Sequence, residues 1–203
     1  TTITFNGNKQ QSIKSAPTVT TPGNLFLSKY VVLNNPSGLK LERNVGIGSD
    51  NNNSGTLTLT NGKLDLNGTH NILLYGTNPI LSEDDGSAVV TNTKDDWGFI
   101  GLQSSSATVT GSGIGIELTG STTTASDLGR VYRYHKKLKV GDYETVQRVY
   151  RVLDDIGYGS TGVTFAYDDT ELNSLTADNL ALYHARSGSA ASFTTLSSTS
   201  YTT

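Results

Sequence analysis

The chain has 203 residues, a formal net charge of −3 and no cysteine, with 34% hydrophobic and 16% charged residues. The weak negative charge gives no attraction for nucleic acid or for an anionic membrane surface, and the lack of cysteine excludes disulfides, thiolate metal sites and cysteine nucleophiles. No apolar run approaches the roughly 20 residues of a membrane span, so we expect neither a nucleic-acid partner nor membrane insertion. Abundant Gly, Thr, Ser and Asn are typical of an all-β protein with many turns.

Short strands are predicted from the first residues onward. Thr2–Asn6 alternates and ends in the turn signal Asn6-Gly7, and a second short strand follows at Gln10–Ile13. From residue 25 to residue 74, apolar pairs spaced i, i+2 recur between Asn, Gly, Pro and Ser residues. Each pair predicts a strand of about four residues that points two side chains to one side. The pairs are Leu25/Leu27, Val31/Leu33, Leu39/Leu41, Val45/Ile47, Leu57/Leu59, Leu64/Leu66 and Ile72/Leu74.

Two architectures compete for this pattern. An antiparallel meander needs hairpin turns and longer strands, whereas a parallel solenoid accepts short strands with a corner at each Asn or Gly. The short strands favour the solenoid, and with coils of roughly twenty residues the segment 1–81 would supply about three of them. The open ends of such a stack would invite another copy or need covering by a neighbouring domain.

A change of character divides the chain. Acidic segments break the rhythm at residues 82–96, which we interpret as a linker between a solenoid domain at 1–81 and a second domain at 97–203. Strands are predicted again at 97–102, and longer ones from residue 130 to residue 153, with no helical period. The predicted fold is therefore all-β, a short parallel β-solenoid followed by an antiparallel β-sandwich.

Several motifs carry a resemblance to a known family. The first half contains, in order, Ile3-Thr4-Phe5-Asn6-Gly7, Gln11-Ser12-Ile13, Leu33-Asn34-Asn35-Pro36-Ser37-Gly38 and Gly55-Thr56-Leu57-Thr58-Leu59-Thr60-Asn61-Gly62. This order resembles a repeat in large secreted surface proteins of gliding-type Gram-negative bacteria, many of which are exported by the type IX pathway. The second half resembles the module that often follows the repeat, through Val149-Tyr150-Arg151-Val152 and Val163–Asn173. The resemblance implies an extracellular or cell-surface location and an adhesin, a filament or a non-catalytic part of a secreted enzyme.

A basic and aromatic segment has two interpretations. Seven of the fifteen basic residues lie within the 22 positions from Arg130 to Arg151, interleaved with tyrosines. This segment could be a patch that binds acidic surface glycans or lipopolysaccharide, with the tyrosine rings as stacking surfaces. Alternatively, it is a solvated strand face whose cations meet Asp142, Asp154 and Asp155, which we favour because these acids lie close in sequence. The candidate glycan-binding residues are Trp97, Tyr132, Arg133, Tyr134, Lys136 and Tyr143.

One acidic turn is a candidate metal site. Asp168, Asp169 and Glu171 place three carboxylates close together, and Ca²⁺ prefers oxygen ligands of this kind. No EF-hand spacing is present, so a turn-forming role is favoured over calcium binding. Ca²⁺ is the one cofactor that the sequence makes a candidate.

Catalysis and ice binding are both disfavoured by the sequence. His70, His135 and His184 are isolated, and no Gly-x-Ser-x-Gly elbow occurs, so we expect no enzyme activity. Thr56, Thr58 and Thr60 alternate as an ice-binding face would. The positions taken as their equivalents, in 64–66 and 45–47, carry Asp and Gly in place of threonine.

Two functional hypotheses remain. The first is a non-catalytic extracellular structural protein, a subunit or repeat of an adhesin or filament, whose partners are other copies or neighbouring repeats. It would associate through open coil ends or terminal strands, with Ile3, Phe5, Phe193 and Tyr201 as contact candidates. The alternative is a carbohydrate-binding module of a secreted polysaccharide-acting protein.

Overall fold

The computed structural model of the protein describes residues 1–14, 24–49, 54–91, 97–104, 114–119, 130–140, 142–152, 162–165, 167, 171–172, 174–176, 180, 183–184 and 194–195. Within these ranges the structure is all-β and has no α-helix. Consequently, the described part of the chain contains no helix that is long and apolar enough to cross a membrane.

The chain coils through three parallel sheets and adds one strand to each sheet per turn, which confirms the predicted β-solenoid. Pairing of Thr2 with Tyr30, Tyr30 with Thr56 and Thr56 with Ile80 gives turns of 28, 26 and 24 residues, longer than the predicted twenty. The first coil contains β1 (Thr2–Asn6), β2 (Gln11–Ile13) and β3 (Leu25–Leu27), and the second β4 (Tyr30–Asn34), β5 (Leu39–Leu41) and β6 (Val45–Ile47). The third contains β7 (Thr56–Asn61), β8 (Lys63–Asp65) and β9 (Ile72–Gly76), and the fourth β10 (Ile80–Glu83), β11 (Ala88–Val90) and β12 (Phe99–Ser104).

The predicted apolar pairs form the core of the solenoid. Leu33, Leu41, Leu59 and Leu74 are completely buried, and they belong to one continuous apolar cluster. Because equivalent strands pair in register, equivalent inward side chains stack in rows. Leu39 of the second coil, for example, pairs with Gln11 of the first coil and with Leu64 of the third. Burial of a leucine side chain stabilises the fold by about 1.5–3 kcal/mol, so these rows provide the main favourable contribution.

A glycine marks the same corner in every coil. Gly7, Gly38, Gly62 and Gly86 each lie between a strand of the first sheet and a strand of the second, and all have positive φ. At Gly62 a Cβ would come within 1.9 Å of the Asn35 carbonyl oxygen, so a side chain is excluded by space as well as by φ. These corners therefore fix the path of the chain from one sheet to the next.

Asparagines form a ladder at the corner that enters the third sheet. The Asn44 side-chain oxygen accepts the Asn71 N–H at 3.0 Å, and the Asn71 side-chain oxygen accepts the Phe99 N–H at 3.2 Å. The second and third coils thus each satisfy a backbone donor of the next coil, a requirement for backbone groups away from water.

The regular stacking continues past residue 81, where the sequence predicted a linker. β10 ends at Glu83 and pairs with β7, while β11, at 88–90, pairs with β8. β12 in turn pairs with β9 as the fourth strand of the third sheet. Strands therefore lie inside the range 82–96 assigned to the linker, and the division into domains at 1–81 and 97–203 stays a prediction.

Antiparallel pairing begins after the fourth coil. The third sheet is extended by β14 (Arg130–Tyr134), which pairs with β12, and by β17 (Val149–Val152), which pairs with β14. Three further antiparallel pairs join β13 (Ile116–Thr119) to β18 (Gly162–Phe165), β15 (Lys139–Val140) to β16 (Tyr143–Glu144), and β19 (Tyr183–His184) to β20 (Thr194–Thr195). The predicted β-sandwich stays a prediction, because these pairs do not by themselves form two packed sheets.

The register corrects one comparison made from the sequence. Thr56 and Thr58 are stacked on Tyr30 and Val32 on one side and on Ile80 and Ser82 on the other. Their equivalents are therefore not in 45–47 or 64–66, which belong to the other two sheets. Tyr30 and Ile80 are exposed large side chains in the row of Thr56, so this row is not a flat threonine array.

Candidate interaction surfaces

The first coil forms an open end of the solenoid. β1, β2 and β3 are each the last strand of their sheet, with a hydrogen-bonded neighbour on one side only among the described residues. The inward residues Ile3 and Phe5 are half-buried, as are Leu25 and Leu27. Apolar side chains and strand edges are thus presented to solvent together, which is the combination that invites strand pairing with another chain.

Comparison along a single row shows how open this end is. Leu27, Ile47, Leu74 and Leu102 lie in one inward row of the third sheet. Leu27 is half-buried, whereas Ile47, Leu74 and Leu102 are at most 3% exposed. The sequence-predicted contacts Ile3 and Phe5 therefore lie on the open end, while Phe193 and Tyr201 are outside the described residues.

The opposite end of the solenoid is covered in part by later strands of the chain. Among the described residues, β10 and β11 also have a hydrogen-bonded neighbour on one side only, whereas β12 has one on each side. β14 occupies the free edge of β12, and Ile114, Ile116 and Val131 complete the same buried apolar cluster as the coils. As a result, Leu81, Val89 and Ile100 of the fourth coil are all buried.

A buried ion pair joins the fourth coil to this cover. The two terminal nitrogens of Arg133 lie 2.6 and 2.8 Å from the carboxylate oxygens of Glu83, which also accepts the Val89 N–H at 2.9 Å. Burial alone would raise the pKa of Glu83, but the Arg133 charge and these hydrogen bonds hold the pKa below its ordinary value. The glycan-binding role of Arg133 stays a prediction, in which a sugar would have to reach a side chain that is 4% exposed and bound to a carboxylate.

Glu83 occupies a position that is apolar in the preceding coils. In the first sheet it is stacked on Leu59, which is stacked on Leu33 and then on Phe5. The row of inward apolar side chains thus ends in a carboxylate, and that carboxylate binds the arginine of the covering strand.

A second ionic cluster contains a residue of the predicted calcium site. Glu171 is buried, and its two carboxylate oxygens lie 3.2 Å from His135 Nδ1 and 2.6 Å from an Arg148 terminal nitrogen. Asp168 and Asp169 lie outside the described residues, and no group of three metal-ligating side chains occurs in the part of the chain that is described. The calcium site stays a prediction, in which Ca²⁺ would have to compete with Arg148 for Glu171.

Part of the basic segment is paired, whereas Lys139 and Arg151 are exposed. Lys136 is buried, with its ammonium nitrogen 3.6 Å from the centre of the Trp97 ring, and Lys137 lies 2.7 Å from Glu144. Among the described residues, the acidic partners of the segment's cations are Glu83, Glu144 and Glu171. The favoured interpretation, a solvated face whose cations meet Asp142, Asp154 and Asp155, stays a prediction. Of those aspartates, Asp154 and Asp155 are outside the described residues.

The outer face of the third sheet carries a band of aromatic and apolar side chains. One outward row runs from Phe26 over Gly46, Leu73 and Gly101 to Tyr132. The Phe26 ring leans over Gly46, where a Cβ would come within 2.8 Å of it, and the Tyr132 ring leans over Gly101, where the distance would be 2.5 Å. We call this outward row, with the adjoining Tyr75 and Phe99, the aromatic strip.

Contacts between rings connect the strip to the predicted glycan-binding residues. Ring centres lie 5.5 Å apart for Phe26 and Tyr75, 4.4 Å for Phe99 and Tyr132, 5.6 Å for Phe99 and Tyr134, and 5.7 Å for Trp97 and Tyr134. Trp97 is exposed, Tyr132 is half-buried and Tyr134 is buried, and burial raises the pKa of the Tyr134 hydroxyl. Three of the predicted aromatic residues are thus brought together, while the side chain of Tyr143 lies outside the described set.

Sequence reasoning missed Phe26 and Phe99 as surface residues. The sequence identifies both only as strand residues, because their neighbours in space are 20 or more residues away along the chain. The available signal was a glycine in the middle of a three-residue apolar strand, Val45-Gly46-Ile47, since such a glycine often marks a close approach.

No protein-family model, curated protein or solved structure matches this chain. The resemblance to secreted surface repeats therefore stays a prediction.

Proposed function

We propose that this chain is a non-catalytic structural protein of the cell surface or extracellular space, a subunit or repeat of an adhesin or filament. Its partner would be another copy or a neighbouring repeat, bound at the open first coil. The single observation that supports this proposal is the difference in burial between Leu27 at that end and its row partners further along the solenoid. Exposed strand edges with apolar side chains behind them favour addition of further strands.

The covered end limits the ways in which two copies of the chain could associate. A head-to-tail filament built by stacking coils needs both ends of the solenoid free, whereas β14 occupies the edge of β12. Association through coil ends would therefore join two first coils in an isologous pair, or join the first coil to a preceding repeat. Longer assemblies would need a second contact elsewhere on the chain.

Sedimentation velocity across a wide range of protein concentration tests this proposal. We expect a concentration-dependent dimer that is lost in Ile3→Lys, because a charge pointing inward at an edge strand opposes strand addition. Ser82→Lys is the matched control, since it adds the same charge to an exposed position of the first sheet near the covered end. A strictly monomeric wild type, or a dimer that persists in Ile3→Lys, would contradict the proposal.

Carbohydrate binding is the second candidate function. It is favoured by the exposed Trp97 ring packed against Tyr134, which in turn contacts Phe99. A glycan array on which the protein binds nothing would count against this candidate.

A further inference from the structure

We infer that the aromatic strip binds a neutral, unbranched polysaccharide chain that runs across the strands, along the direction in which the coils stack. The inference rests on the second candidate function and gives it a ligand class, a direction and a set of residues. Phe26 and Tyr132 mark the two ends of the site, with Leu73 between them.

The orientation of the rings is the first step. An aromatic side chain that leans over a glycine of the adjacent strand covers exposed backbone with one side and leaves the other side to solvent. Phe26 leans over Gly46 and remains 59% exposed, an unusual exposure for a phenylalanine supported by the neighbouring Tyr75 ring. A hexose ring with its C–H bonds on one face is complementary to a surface of this kind.

The spacing is the second step. Phe26 lies in β3 and Tyr132 in β14, and these strands are four neighbours apart in the sheet. At about 4.8 Å between strands, the backbones of Phe26 and Tyr132 are separated by about 19 Å. Because the two rings lean over Gly46 and Gly101, which are two strands apart, the ring separation falls to as little as about 10 Å. A single sugar cannot reach both rings, so the ligand has to be a chain of at least two residues.

The charge is the third step. Within the described residues, the outward row carries no carboxylate, and its one cation is Arg151, at the end beyond Tyr132. Arg151 is hydrogen-bonded to the Tyr134 hydroxyl, so it is already engaged. An anionic polysaccharide would need cations repeated along the strip, whereas a neutral chain needs only the apolar faces and scattered polar neighbours.

Isothermal titration calorimetry with cellohexaose and chitohexaose tests the inference, with cellobiose and polygalacturonate for comparison. We expect at least one neutral hexamer to bind, more tightly than the disaccharide or the anionic polymer. Phe26→Ala and Tyr132→Ala should each weaken hexamer binding about tenfold and reduce the preference for the longer ligand. Tyr30→Ala, which removes an exposed tyrosine from the outer face of the first sheet, should leave binding unchanged.

Three outcomes would overturn the inference. If Trp97→Ala abolishes binding while Phe26→Ala does not, the protein binds carbohydrate, but at the Trp97 cluster rather than along the strip. If neither neutral hexamer binds, the inference fails, and an empty glycan array would remove the carbohydrate-binding candidate as well. If Phe26→Ala changes the sedimentation coefficient and not the titration, the strip is covered by a second copy. Thermal melting of each variant, followed by circular dichroism, verifies that the fold is retained.

Discussion

The two ends of the solenoid differ although the coils between them are alike. At the first coil, Ile3 and Leu27 are half-buried beside free strand edges. At the fourth coil, Leu81 and Leu102 are buried, in one apolar cluster with Ile114, Ile116 and Val131. A repeated structure has no intrinsic reason to stop, so each end needs its own solution, and this chain encodes one for the fourth coil.

The cover of the fourth coil depends on charge as well as on shape. Glu83 takes the place of the inward leucine and would be costly to bury beneath another apolar coil. Arg133 compensates this charge from the covering strand, so the fourth coil accepts one specific cover rather than any strand. The first coil has Phe5 in the same row, which carries no charge that would select a particular cover.

The largest expected effect is at the ion pair of the covered end. Arg133→Met should destabilise the fold by about 3–5 kcal/mol, because it leaves the Glu83 carboxylate buried without its cation. Adding Glu83→Leu should recover most of this loss, since the double variant restores the leucine row. Urea unfolding monitored by tyrosine and tryptophan fluorescence measures both. A cost below about 1 kcal/mol for Arg133→Met would mean that the cover is not held by this pair.

The next effect compares the two ends directly. Leu102→Ala should cost about 3 kcal/mol, and Leu27→Ala, in the same row at the open end, about 1 kcal/mol, because less apolar surface is lost there. Both free energies of unfolding should be measured at low protein concentration. Equal costs would indicate that the first coil is covered in solution and would sharpen the case for a bound partner.

Acid should loosen the covered end selectively. The pKa of Glu83 is lower in the folded protein than its ordinary value of 4.5, so its stabilising contribution is present above about pH 4.5 and is lost as the pH falls through the folded-state pKa. The unfolded chain binds the extra proton, and stability therefore decreases with acidity. Unfolding curves at a series of pH values below about 5 should show a smaller decrease in Glu83→Gln than in the wild type. An identical decrease in both would exclude Glu83 as the source.

An effect smaller than that of Leu102→Ala is expected at the asparagine ladder, and it should be nearly the same at both positions. Asn44→Ala removes the acceptor of the Asn71 N–H, and Asn71→Ala removes the acceptor of the Phe99 N–H. Each change should cost about 1–2 kcal/mol, the penalty of a partly buried donor without a partner. Amide hydrogen exchange at residues 71 and 99 locates the loss. Strong protection that survives the substitution would show that water or another group replaces the side chain.

Much of the solenoid could be predicted from the sequence because its signal is local. Pairs such as Leu57/Leu59 and turns such as Asn61-Gly62 each lie within a few residues, and each predicts the local backbone conformation without knowledge of distant contacts. The fourth coil was missed for a local reason too. Its corner, Asp85-Gly86, follows Glu83 and Asp84, and this acidic composition resembles a linker, although Gly86 repeats the corner of Gly62.

The surfaces could not be predicted in the same way, because they depend on register between coils. That Phe26 leans over Gly46, or that Arg133 reaches Glu83 across 50 residues, follows only once the strands are aligned. Reading the basic segment by itself therefore assigned Arg133 to a binding surface, whereas its charge is used inside the fold.

The corner glycines have a consequence for protein engineering. Because Gly7, Gly38, Gly62 and Gly86 turn the chain at the same corner, a coil is an interchangeable unit whose length between corners varies from 24 to 31 residues. Duplicating the segment from Thr56 to Pro79 should insert one additional coil between the third and the fourth. The solenoid would become longer by about 4.8 Å, with both of its natural ends preserved.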